Sequence, residues 1–285
     1  MEKAAISSYK ALVARYGTPI SDKLFHELRD YAMKRGIKLS GFKDFVGDIQ
    51  TIKIVIDDIC QIAEDFPRIL DEKVGIWLEL DYNLGTDFAT TEAGHIIHLN
   101  GGYFSNIEVL EEEYDSAVAE GRFVSDTNWR SISRHEVGHV VAYAYSIDPL
   151  EVAKEIMKTG SSVQVRYRIG KELSLYAAEY EDGREFISES FSGYYSGTDN
   201  AIATEFVKRC LEKMNERQVN RMKSYSEAMY WRTNEKWFVI NIEKDRFELT
   251  KAAPPRAIES FRMYLRQNDL PDNPIPINYG EDVMV

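Results

Sequence analysis

His135-Glu136-Val137-Gly138-His139 lies inside an apolar run over residues 129–145 whose spacing is helical. On an α-helix, residues four apart share a face. The run therefore predicts a helix on which both imidazoles reach one metal ion, with Glu136 beside them. Ile132, Val140, Val141 and Ala144 supply its buried faces, and Asp126 or Thr127 is placed to cap its N-terminus. Polar side chains on an otherwise buried helix are costly without a partner, and a metal ion is such a partner. H-E-x-x-H is the spacing used by zinc metalloproteases. Two His and a third protein ligand leave one position on Zn2+ for water, whose pKa the ion lowers toward about 7. Glu136 is placed to take that water's proton.

The third ligand must come from elsewhere. No His follows His139, so the metzincin spacing H-E-x-x-H-x-x-G-x-x-H is excluded; Tyr145 stands where its last His would be. A cysteine ligand upstream, as in peptide deformylase, would have to be Cys60, which lacks a supporting glycine-rich context. An acidic ligand downstream remains. Arg184-Glu185-Phe186-Ile187-Ser188-Glu189-Ser190-Phe191 places Glu185 and Glu189 four apart on one helix face, while Ile187, Phe191 and Tyr194 can bury the other. On spacing alone, a metal-binding pair and a helix carrying two solvated acids are equal alternatives.

Together, H-E-V-G-H and E-F-I-S-E-S-F resemble the anthrax lethal-factor family of zincins, where H-E-F-G-H is followed by E-F-F-A-E-A-F. The same pairing occurs in zincin-like domains of phage minor head proteins. Glu185 follows His139 by 46 positions, close to the gap in that family. The resemblance implies that Glu185 is the metal-binding glutamate and that Glu189 orients a ligand His from behind. It also implies a tyrosine facing the substrate oxyanion. Ser174-Leu175-Tyr176-Ala177 matches the family's segment and designates Tyr176, but about two extra residues before Glu185 keep Tyr180 as a rival. The stretch His95-Ile96-Ile97-His98-Leu99-Asn100-Gly101-Gly102-Tyr103 is similar to the strand and loop preceding the motif in the phage proteins. In all, the resemblance covers residues 74–195.

The implied fold is α+β and zincin-like, a small mixed sheet backing the H-E-x-x-H helix within a largely helical remainder. The implied activity is zinc-dependent hydrolysis of peptide bonds, with a peptide or protein as substrate. The alternative is a phage or mobile-element structural protein whose zincin domain serves head assembly or peptide binding, with phage structural proteins as partners and a place in the virion.

Patterning sets the rest of the organisation. A helical region is expected over residues 1–70, with an amphipathic helix at 1–16, a stripe formed by Val55, Ile59, Ile62 and Phe66, and His26 at a surface or cap position. A catalytic domain is expected over 71–215 and a helix and hairpin extension over 216–285. Alternation of apolar and polar residues predicts strands at 74–80 and 94–99. Helices are expected at 149–159, 184–195, 199–230 and 256–267, a hairpin from 237–242 and 246–249, and an extended tail at 271–285. The segment 94–100 is expected to be an edge strand at the cleft rim, where main-chain groups around Ile96 and Ile97 bind an extended peptide. His95 and His98 are three apart, hence on opposite faces of a strand, and are expected as polar edge positions rather than ligands of one ion.

Composition narrows the classes. The 285 residues carry a net charge of −12, which argues against nucleic-acid binding. Two cysteines, Cys60 and Cys210, make no disulfide framework or cysteine-rich zinc cluster. No apolar run approaches the roughly 20 residues needed to span a membrane, and residues 1–16 lack a signal peptide's apolar core, so a cytoplasmic location is expected.

Overall fold

Four short strands build a mixed sheet: β1 (Lys38–Ser40), β2 (Trp77–Asp81), β3 (Ala89–Glu92) and β4 (Ile96–Asn100), in the order β1-β2-β4-β3. β2 runs parallel to β1 and β4, and β3 runs antiparallel to β4. The period of two puts Leu78, Leu80, Ile97 and Leu99 in the core, while Trp77 on the opposite face is exposed. The computed structural model describes residues 9–71, 74–241, 246–268 and 270. The first eight residues of the expected N-terminal helix, the hairpin turn at 243–245 and the expected tail at 271–285 lie outside the described residues.

The chain is mixed α+β. Its first compact unit, residues 1–212, carries α1 (Tyr9–Tyr16), α2 (Asp22–Met33), α3 (Ile49–Asp65), α4 (Gly101–Phe104), α5 (Ile107–Ala119), α6 (Ser131–Tyr145), α7 (Pro149–Met157), α8 (Ser162–Glu172) and α9 (Arg184–Tyr195). α10 (Ala201–Ala228) runs through the boundary at 212. The second unit adds the antiparallel hairpin β5 (Phe238–Asn241) and β6 (Arg246–Leu249), then α11 (Pro255–Gln267). Its small core gathers Leu249, Ala257, Phe261 and Leu265 around the fully buried Trp231, whose ring meets Phe238 and Phe261 edge to face. No helix among the described residues is long and apolar enough to cross a membrane.

Several expectations are corrected. The segment 94–100 is not an edge: β4 lies between β2 and β3 and is paired on both sides. Ile96 and Ile97 therefore have no open ladder to offer a peptide, and the edge on this side is β3. The expected strand at 74–80 begins only at Trp77, after a turn in which Gly75 has φ +51°. β1 interrupts the expected helical region, and α5 and α8 were not anticipated. The N-cap of α6 is Arg130, which has no side-chain cap bond, so neither Asp126 nor Thr127 fills that place. Asn128 Oδ1 accepts from the Arg130 N–H at 3.1 Å, whereas Thr127 donates to the Val124 carbonyl and Asp126 sits at φ +61°.

α6 is the organising element, packed chiefly on α9 and also touching α3 and β3. Ile132, Val137, Val140, Val141 and Ala144 bury its apolar faces. A polar layer ties it to α3. Asp58, fully enclosed, accepts from Arg134 Nη2 at 2.8 Å and Arg130 Nε at 3.0 Å, so its charge is paired rather than stranded. The α6–α9 contact is close because small residues line it. A Cβ added to Gly138 would lie 2.7 Å from Ser188 Cα, and Ser131 Oγ meets Ser196 Oγ at 2.7 Å. Gly138→Ala is expected to cost about 1–3 kcal/mol, the usual penalty of overpacking a tight contact. Chemical denaturation of the full chain checks this; an unchanged midpoint would mean that the helices can separate freely.

Candidate metal centre

The close α6–α9 contact brings four side chains to one point. α6 presents His135 and His139 from successive turns, and α9 presents Glu185 and Glu189. Glu185 occupies the first turn of α9, where free N–H groups and the helix dipole favour a carboxylate. Gly183, at φ +73°, lets the chain turn sharply into that helix.

One ligand atom each from His135, His139 and Glu185 lie within 4.8 Å of one another. Glu185 Oε2 is 3.1 Å from His135 Nε2 and 3.5 Å from His139 Nε2, yet it is buried without an aligned hydrogen bond. Three lone-pair atoms thus converge on a spot that lacks a well-placed donor. A buried polar atom in that position calls for a partner, either a proton on a facing imidazole or a cation. The titration tendencies agree. Burial alone would lower the His135 pKa, but Glu185 and Glu189 outweigh it and hold the imidazole well above its ordinary value. Burial would raise Glu185, but His135 and His139 outweigh it and hold the carboxyl below the usual range. Both shifts come from the mutual pairing of imidazole and carboxylate in this cluster. Two imidazoles and one carboxylate, with no fourth protein ligand among the described residues, fit an open four-coordinate site.

Glu189 supports this arrangement from behind. Its Oε1 lies 2.9 Å from His135 Nδ1, and its Oε2 accepts the Val124 N–H at 3.1 Å. A proton on Nδ1 pairs with that carboxylate, and in the neutral tautomer this leaves Nε2 for an ion.

Glu136 is buried beside the cluster. The Thr91 hydroxyl donates to Glu136 Oε2 at 2.7 Å and lies 3.2 Å from the Glu136 carbonyl. The Tyr176 ring stacks on His135 with centroids 5.7 Å apart and an interplanar angle of 26°. Phe123 meets its edge, and the Arg122 guanidinium lies over it. Burial, followed by the Glu185 and Glu136 carboxylates, pushes the Tyr176 phenol up, so it remains a hydrogen-bond donor. Tyr180 is exposed and stacks instead under Arg184. Of the two tyrosines, Tyr176 is the one against His135.

The other flagged residues stand apart from this cluster. Cys60 sits half-buried on α3. His95 Nδ1 faces the Ala93 carbonyl, and His98 lies between Glu92 at 3.3 Å and Glu79 at 4.0 Å. Thr91 and the Val124 N–H were not foreseen. Neither belongs to a local pattern, since Thr91 reaches Glu136 across 45 positions and Val124 reaches Glu189 across 65. Comparisons with protein-family models, curated proteins and solved structures find no match to this chain.

Proposed function

We propose that this chain is a zincin-like, zinc-dependent metallopeptidase. The observation that carries this reading is the buried Glu185 oxygen facing both imidazole Nε2 atoms, with a buried carboxylate at the next position, Glu136. His135, His139 and Glu185 would hold the ion. Bound there, zinc supplies a Lewis acid that brings the pKa of a water toward about 7 and polarises a carbonyl. Glu136 accepts the attacking water's proton and later delivers it to the leaving amine nitrogen. Glu189 keeps His135 in the tautomer that binds metal. The Tyr176 hydroxyl donates to the peptide carbonyl oxygen as it becomes negative.

The edge strand β3 offers a place for the substrate. The Asn100 N–H donates to the Phe88 carbonyl, which sets the alternation of the β3–β4 ladder. Thr90 and Glu92 then turn their main-chain groups toward β4, and Ala89 and Thr91 turn theirs to the open edge. An extended peptide can pair there and pass beside Glu136.

The test is cleavage of a peptide library by the zinc-loaded chain, repeated with a chelator and with Glu136→Ala. Cleavage that needs both zinc and Glu136 supports the reading; no cleavage, or cleavage indifferent to either, overturns it. Tyr176→Phe is expected to lower kcat by about 10²–10³ with little change in KM, since the contact forms mainly in the transition state. Tyr180→Phe should change neither. The reverse ranking would assign the oxyanion contact to Tyr180.

A further inference from the structure

Thr91 does two things from one position. Its main-chain N–H and C=O face the open edge of the sheet, by the alternation that the Phe88–Asn100 bond sets. Its side chain projects from the sheet face on the core side with its ladder partner Ile97, and its hydroxyl meets Glu136 Oε2 at 2.7 Å. Among the described residues no other side chain hydrogen-bonds this carboxylate. A carboxylate on two rotatable bonds beyond Cβ sweeps a wide arc, and catalysis is sensitive to misplacement of about 1 Å. We propose that Thr91 is the positioning residue for Glu136, holding its carboxylate from the same strand that would receive the substrate. A peptide paired to the main chain of Thr91 also fixes the hydroxyl that aligns Glu136, so docking and alignment become one event. The proposal rests on the reading of Glu136 as the base.

Thr91→Val removes the hydroxyl and keeps the β-branched shape suited to a strand; Thr91→Ser keeps the hydroxyl. Two measurements on the full chain test the proposal. The first is kcat, KM and zinc content of both variants. Thr91→Val should lose about 10- to 100-fold in kcat with KM and zinc unchanged, and Thr91→Ser should recover most of the loss. A merely structural role would instead move KM, zinc content or both. The second measurement needs no turnover: the unfolding midpoints of Thr91→Val, Glu136→Ala and the double variant, compared as a cycle. The two substitutions should be non-additive, Thr91→Val costing less once Glu136 is gone. Additive midpoints, or a Thr91→Val enzyme with wild-type kcat, would overturn the proposal. Non-additive midpoints in a protein that cleaves no peptide would keep the positioning contact and overturn the peptidase reading.

Discussion

Glu136→Gln is expected to keep its zinc and its fold and to lose about 10²–10⁴-fold in peptide hydrolysis. Glu136 is not among the three residues whose ligand atoms converge, so its replacement leaves the donor set intact. Glutamine has the same shape and still offers an oxygen to the Thr91 hydroxyl, which preserves the contact at 2.7 Å. What the amide cannot do is take a proton from water. The loss should therefore fall on kcat, with metal content and the circular dichroism spectrum as in the wild type. Glu136→Ala should lose as much activity but also leave the Thr91 hydroxyl only the main-chain carbonyl at position 136, so it is the less clean variant. Unchanged turnover in Glu136→Gln would remove Glu136 from the chemistry.

The second large effect separates a ligand from its support. Glu189→Ala is expected to weaken zinc binding by about 10–100-fold, the usual effect of losing a residue that orients a ligand. It removes the partner of His135 Nδ1 and strands the buried Val124 N–H. Glu185→Ala should weaken binding further, because it deletes one of three ligand atoms and leaves two imidazoles alone. A competition titration against a zinc-binding dye ranks the two. Added zinc should also raise the unfolding temperature of the wild type, since ligand bound only by the native state stabilises it, and should raise that of Glu185→Ala least. If Glu189→Ala loses the metal and Glu185→Ala holds it, their roles are exchanged.

What could be read from the sequence follows the range of the forces involved. The α6 pattern is local. Helical spacing of Ile132, Val140, Val141 and Ala144 marks the buried faces, and the four-residue spacing of His135 and His139 puts both on one side. α9 is local too, and its observed span, Arg184–Tyr195, is the expected one. α9 carries a further local signal: Ser188, Ser192 and Ser196 repeat every four residues beside Glu185 and Glu189. That stripe lets α6 approach through Gly138 and so decides that the glutamates face inward. α8 also had a local sign, Ser161 accepting the Gln164 N–H, which is the start of a capping box.

The sheet was less legible. β3 reads Ala-Thr-Thr-Glu, with no apolar alternation, and it exists because β4 pairs with it and because Thr91 bonds to α6. β1 is three residues long and depends on its parallel partner β2. Strand order is set by such distant pairings. Hence β4, the strand with the better apolar pattern, sits inside the sheet and not at its edge, as that pattern fits.

The central claim is that His135, His139 and Glu185 hold one zinc ion. Diffraction from crystals grown with zinc, with data collected on both sides of the zinc absorption edge, tests it most directly. The account predicts one anomalous peak per chain between α6 and α9, about 2.0–2.2 Å from His135 Nε2, His139 Nε2 and a Glu185 oxygen. No peak at that point, or a peak held instead by His98 and Glu92 on the far face of the sheet, would contradict it.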